Sequence, residues 1–443
     1  MDQEKGNEMK DTVLKDFMKY VSLNVLGMIA LSCYILADTF FISKALGAAG
    51  IAALNLSISV FSIISGTGLM IGIGGATRYS ILHSQEEKER TNIVFSISIK
   101  LGLLLGLIFL IIGVIASDNL AILLGADLSI FMMTKTYLMT ILCFAPFFIL
   151  NNIIIAFVRN DHNPKLAMIA MLTGSFSNII LDYIFIFPLG MGMFGAAFAT
   201  CLAPIISIGV TSIHFIKGKS NLRLLRCRIE LSRIIDILAL GLSAFINEIS
   251  SAITLITFNL VILSLEGNLG VASYGIIANL ALIGVAIFTG IAQGIQPLVS
   301  KGYGQRDSVF LKKVLKMAII TSLIFATFIY TVTFVYSDGI VQIFNSEQNI
   351  EIARLSKTGL RIYFIGFFFA GLNIIIAMYL SATESAKDSF LISIARGCVI
   401  IVPMVLLLSR AWKMTGIWFA FVLTEAIVAV YALYCKSKIS MFE

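Results

Sequence analysis

Residues 117–124 read SDNLAILL, and 220 positions further on residues 337–344 read SDGIVQIF. The offset holds elsewhere along the chain. FFILNNIIIAF (147–157) returns as FFFAGLNIIIAM (367–378), and GMFGAAFA (192–199) returns as KMTGIWFA (413–420). One register kept over three separated segments marks an internal duplication, because apolar helices that resemble each other by chance do not hold register. The chain therefore reads as two halves built on one plan, joined by the basic stretch KGKSNLRLLRCRIELSR (217–233).

The 443 residues are 58% hydrophobic and 13% charged, with mean hydropathy +0.97, so a soluble globule would have nowhere to place its apolar surface. Stretches of about twenty or more apolar residues recur between short polar breaks, without the two-residue alternation of barrel strands. The expected fold is an all-α polytopic membrane protein of about twelve transmembrane helices in two pseudo-symmetric six-helix lobes. The spans fall near 17–42, 50–77, 92–116, 131–158, 165–187, 191–216, 232–264, 269–298, 314–336, 353–381, 388–409 and 415–435. This divides the chain into a cytoplasmic tail (1–16), an N-terminal lobe (17–217), a cytoplasmic connector (218–231), a C-terminal lobe (232–437) and a second tail (438–443). Six spans per half is an even number, so the halves share one orientation, with a cavity expected between the lobes.

Lys and Arg gather in the even-to-odd turns, at Arg78, Lys88 and Arg90, at Arg159 and Lys165, through 217–233, and at Lys301, Arg306, Lys312 and Lys313. That bias places both termini in the cytoplasm. The basic residues behind the net charge of +7 are spread by loop and not gathered in one patch, so nucleic acid is not expected as a partner. Six cysteines without a CxxC pair read as reduced structural thiols. His83, His162 and His214 lie at or near helix ends and are expected to be solvated or interfacial. Gly294 and Pro297, near the end of the eighth span, read as a hinge or as a stop signal.

Against this apolar background, residues 171–188, MLTGSFSNIILDYIFIFP, stand out. Asn178 and Asp182 are four apart and share a helix face with Ser175 and Met171. A carboxylate at bilayer depth costs about 2.5–3.5 kcal/mol even on lenient scales, so intramembrane acids mark ion pathways far more often than packing. Asp38, Asp182 and Thr200 have no acidic or hydroxyl counterpart at the repeat offset. The ionisable site therefore belongs to the first half alone.

Four motifs carry a family resemblance. ADTFFISKALGAAGIAAL (37–54), FVRNDHNPKLAM (157–168), LDYIFIFPLGMGMFGAAFAT (181–200) and GIQPLVSKGYGQRD (294–307) stand in the order found in the multidrug and toxic compound extrusion (MATE) transporters. The chain resembles that family over its whole length, in its prokaryotic branch with an N-lobe cation site. The resemblance implies a cation-coupling set of Asp38, Asn178, Asp182 and Thr200, which would be metal ligands if the ion is Na⁺. Two carboxylates, an amide oxygen and a hydroxyl suit a small hard cation, or hold a shared proton. It also implies a substrate lining of Met28, Tyr34, Asn151, Asn152, Met171 and Ser175. Glu248 matches an acidic position that another branch uses for a C-lobe site. The Asp which that branch needs on the tenth helix is missing from YFIGFFFAGLNIII (363–376), so Glu248 is expected as a drug-attracting carboxylate or as a hydrogen-bonded structural acid. Asn24 stands where many relatives carry a helix-bending proline, so no proline kink is expected there.

The function implied is multidrug efflux by antiport, conferring antibiotic resistance from the cell membrane. Amphipathic or cationic organic compounds leave in exchange for Na⁺ or H⁺ as two lobes alternate access. No cofactor beyond the coupling ion is expected, and the partners are small-molecule drugs or toxic compounds and membrane lipids, with the chain acting as a monomer. The alternative is a lipid-linked precursor or polysaccharide transporter of the same architecture, which would favour a basic groove. An enzyme is not expected, since the spans hold no nucleophile, base or metal cluster to support one.

Overall fold

The computed structural model describes residues 2–216, 218, 220–228, 230–345 and 349–438, with side chains from residue 13 onward. The helices, in order, are α1 (Asp2–Ser84), α2 (Lys88–Leu123), α3 (Phe131–Cys143), α4 (Ala145–Asn160), α5 (Pro164–Ile186), α6 (Gly192–Ile216), α7 (Leu231–Gly304), α8 (Ser308–Val335), α9 (Ser337–Phe344), α10 (Ile350–Tyr363), α11 (Phe367–Ala382), α12 (Ala386–Ile394) and α13 (Ile401–Lys438). A 3-10 turn at Phe364–Gly366 joins α10 to α11, and a π turn at Ala395–Val399 follows α12. No strand occurs among the described residues. Among the described residues, eight stretches are each long and apolar enough to cross a membrane, and the α3–α4 pair, bent by 50° at its break, makes a ninth. Three of the nine contain a non-helical break, in α1, α7 and α13, which gives the twelve passes expected.

Those breaks repeat the sequence offset in backbone angles. Gly47 has φ 62° and ψ −152°, and Gly267, 220 positions on, has φ 60° and ψ −151°. A Cβ at either would meet nothing within 4 Å, so the backbone angle and not space demands glycine. Positive φ also recurs at Glu86 and Arg306, and at Gly192 and Lys413, at offsets of 220 and 221. The duplication is thus written in the turns as well as in the helices.

Helix starts follow local chemistry. Asn163 Oδ1 accepts from Leu166 N (3.2 Å) ahead of Pro164, which opens α5, and Asp307 Oδ1 accepts from Phe310 N (2.9 Å) at the start of α8. One face of α2 stays bare, with Leu103, Leu104, Leu107, Ile108, Ile111, Val114 and Ile115 exposed, the pattern of a lipid-facing helix. The predicted stop at Pro297 is not made: α7 runs on to Gly304. Gly294 serves close packing instead, since a Cβ there would lie 2.8 Å from Val21 Cα.

By contact the chain forms two compact units that are not its two halves. One comprises residues 1–25, 250–299 and 306–443, the other residues 26–249 and 300–305. Both α1 and α7 thus change unit in mid-helix. Within the second of these units, Gly74 and Gly241 let α1 and α7 touch backbone to backbone: a Cβ at Gly74 would lie 1.9 Å from Ile237 O, and one at Gly241 1.8 Å from Met70 O.

The connector belongs wholly to that unit and lies extended along α2. Arg223 N donates to Asn92 Oδ1 (2.7 Å), Leu225 N to Ser96 Oγ (2.8 Å), and Lys100 Nζ to Cys227 O (3.0 Å). Four helical residues rise about 6 Å and two extended residues about 6.6 Å, so every fourth side chain of α2 meets every second residue of the connector. The start of the connector is pinned at Asp161, whose carboxylate accepts from Asn221 N and Nδ2 (both 2.9 Å), Ser220 Oγ (3.2 Å), Tyr79 Oη (2.9 Å) and His214 Nε2 (2.8 Å). Burial alone would raise the Asp161 pKa, but the bonds from His214, Asn221 and Tyr79 outweigh it and hold the carboxyl at about 2, below its ordinary 3.8. His214 is therefore buried, where a solvated or interfacial ring was expected, and its ring nitrogens bond Asp161 and Asn163 (3.2 Å).

Candidate functional site

The first arm of α1, together with α5 and α6, carries the four oxygen-bearing residues expected to bind the coupling ion. Asp38, Asn178, Asp182 and Thr200 are all buried, with Asn178 and Asp182 fully enclosed. Asn178 is oriented by its neighbours: Nδ2 donates to Asp182 Oδ2 (3.0 Å), and Oδ1 accepts from Thr200 N (3.3 Å). The second oxygen of each acid is unsatisfied: Asp38 Oδ1 and Asp182 Oδ1 are buried with no hydrogen-bond partner. The two carboxylates lie close enough to act on each other electrostatically. Two ionised carboxylates with orphaned oxygens in an apolar bundle are expensive, and only a donor or a positive charge relieves them.

The expected lining divides into two groups. Tyr34, one turn before Asp38, lies within electrostatic reach of Asp38, Asp182 and Glu248. Asn151 adds a third buried oxygen without a partner, while Asn152 Nδ2 donates to Ser65 O (3.3 Å). Met28 and Met171 instead share an apolar cluster with Ile155, Val158 and Ala167, and Met171 Sδ would lie 2.9 Å from a Cβ at Gly27. Ser175 is buried on the face of α5 that also holds Asn178. Tyr137 of α3, absent from the sequence expectation, is buried within electrostatic reach of Asp38, Asp182 and Tyr34. Nothing in its local sequence, TKTYLMTIL, distinguishes it from packing. Among the described residues, no group of three or more His, Cys, Asp or Glu side chains is arranged to hold a metal ion. A cation here would rest on two acids plus neutral oxygens.

The second half treats the same register differently. Ser175 to Ile179 map at the repeat offset onto the π turn Ala395–Val399, which breaks the regular helix. There Arg396 binds Glu425 through Nη2 (2.7 Å) and Nε (3.1 Å), and Asn373 Nδ2 donates to Glu425 Oε2 (2.7 Å). The carboxylate in that half has its own guanidinium; the acids of the first half have none in their bonding shell.

An all-α bundle of two repeated halves with several apolar helices is the architecture of a multi-pass membrane transporter. The MatE family model matches the chain twice, over residues 25–184 and 243–407, and the chain belongs to that family. It is 28% identical over 431 residues to the multidrug export protein MepA of Staphylococcus saprophyticus, covering 96% of this chain and 93% of the relative. MepA of Staphylococcus aureus strain MRSA252 is likewise 28% identical, over 433 residues, with the same shares covered. Among solved structures, an outward-facing multidrug resistance MATE family transporter of the MOP superfamily superposes with TM-score 0.90 at 24% identity, covering 96% of each chain. The MATE multidrug transporter DinF-BH in complex with R6G gives 0.87 at 25% identity, again over 96% of each chain.

Proposed function

We propose that this chain is a multidrug efflux antiporter that expels amphipathic or cationic organic compounds in exchange for Na⁺ or H⁺. Asp38, Asn178, Asp182 and Thr200 couple the ion, while Tyr34, Asn151 and Glu248 meet the substrate. The observation that carries this reading is the pair of buried, partnerless oxygens, Asp38 Oδ1 and Asp182 Oδ1. The names of the relatives support the export of drugs.

Asn178 bridges the two helices: with Asp182 ionised its Nδ2 donates to Asp182 Oδ2 and its Oδ1 accepts from Thr200 N, so a cation or proton arriving on the acid acts on a contact that ties α5 to α6. An ion drives work only if it binds one conformation better than the other. In proteoliposomes, substrate should accumulate uphill under an imposed Na⁺ or H⁺ gradient applied alone, and Asp38→Asn should abolish it. Wild-type resistance from Asp38→Asn in a drug-sensitive host would remove the acid from the mechanism.

A further inference from the structure

A cavity of about 520 Å³ opens where the second arm of α1 and the starts of α2 and α7 meet, lined by Arg78, Leu82, Arg90, Val94, Ser232, Arg233, Asp236 and Ile237. Three guanidinium groups from three helical segments converge on it, against one lining carboxylate. Arg78 is paired with that carboxylate, Asp236. Arg90 and Arg233 are paired with the i,i+3 neighbours Glu87 and Glu230, both at 2.8 Å, with side chains 66% and 35% exposed. Exposed pairs of that kind contribute little, so a stronger anion displaces them readily. Two helix N-termini, those of α2 and α7, reach the same place, and neither Glu87 nor Glu230 caps its helix with its side chain. The positive ends of their helix dipoles add to the positive potential. Leu82, Val94 and Ile237 give the cavity an apolar wall, and Leu231 and Ile235 at the start of α7 are exposed. Beyond the cavity, the connector strapped to α2 presents exposed Arg223, Arg226 and Arg228.

We propose that this cavity binds the phosphate ester of an anionic glycerophospholipid, with Arg90 and Arg233 clamping the phosphate and the apolar wall receiving the start of the acyl chains. Forked guanidinium groups match phosphate oxygens two at a time, and an amphipathic lining at the helix ends favours a lipid over a soluble phosphate. The site stands apart from the acids of α1 and α5 and does not depend on antiport.

The test uses the full-length protein, incubated with vesicles of equal phosphatidylcholine and phosphatidylglycerol, re-extracted in mild detergent, and assayed for retained lipid by mass spectrometry. Wild type should retain phosphatidylglycerol preferentially. Each basic side chain at an anionic surface is worth a factor of about five, so Arg90→Gln/Arg233→Gln should lower that preference by roughly twenty-five-fold. Arg410→Gln/Lys312→Gln, which removes two exposed charges outside the cavity, should leave it unchanged. Equal preference in wild type and the double variant, or an equal fall in the control, overturns the site. Displacement of the lipid by millimolar inorganic phosphate or glycerol 3-phosphate would support the phosphate clamp but overturn the lipid as its occupant.

Discussion

Replacing Asp182 by Asn removes a charge and keeps the shape. The side chain is fully buried, and its Oδ2 takes the Asn178 amide at 3.0 Å, a bond that an amide oxygen in the same place still accepts. The variant is therefore expected to fold and to reach the membrane at wild-type yield. The effect falls on Oδ1, which is buried with no partner and becomes an NH₂ donor where a cation needs an acceptor. A unit charge about 4 Å from a bound cation contributes ~4 kcal/mol at an effective dielectric of about 20. At 1.4 kcal/mol per factor of ten, cation binding weakens roughly a thousandfold. In proteoliposomes at 100 mV, antiport that moves one charge inward supports about fifty-fold accumulation at equilibrium. For an uncharged substrate carried by Asp182→Asn that ratio should fall to unity while its downhill flux continues. Accumulation at the wild-type ratio would refute the reasoning.

Three further predictions concern stability. The folded Asp161 carboxyl, at about 2, titrates below its unfolded value of 3.8, so its contribution is complete above pH 4 and is lost as pH falls through 2, ~2 kcal/mol in all; melting in detergent should show this acid loss in wild type and not in Asp161→Asn. Gly47→Ala places a Cβ at φ 62° and should destabilise by about 1–2 kcal/mol, whereas Lys413→Gly relieves φ 49° at the repeat position of Gly192 and should raise the melting temperature. Arg396→Met strands the buried Glu425 and should cost about 3–5 kcal/mol, most of it recovered by adding Glu425→Gln, as read by chemical unfolding.

The architecture was legible because a duplicated membrane chain repeats its register, and the structure carries that register into Gly47 and Gly267. Asn178 and Asp182 were legible because four residues on one helix share a face. For Asp38 and Thr200 the residues alone show only that the second half lacks a counterpart; grouping them with α5 rests on the resemblance, since nothing local ties them to that helix. What stayed hidden was made by distant meetings. Tyr137 reads as packing until the acids stand near it, and the partners of Asp161 come from α1, α6 and the connector. His214, 53 residues from Asp161, looked like a loop-end histidine for the same reason. Lys100 and Arg396, basic residues within apolar spans, each have a fixed acceptor, at Cys227 O and Glu425.

The division of α1 between units sets an order of assembly during synthesis. Val21 and Val25 pack their backbones against Gly294 and Gly290 of their own unit. Those glycines are made about 265–273 residues later, roughly 13–55 s at ordinary rates of elongation. Residues 26–249 have nearly all their unit at hand once the start of α7 emerges. Val21 and Val25 thus wait on segments made long after them, and through that interval the bilayer or a chaperone must shelter them.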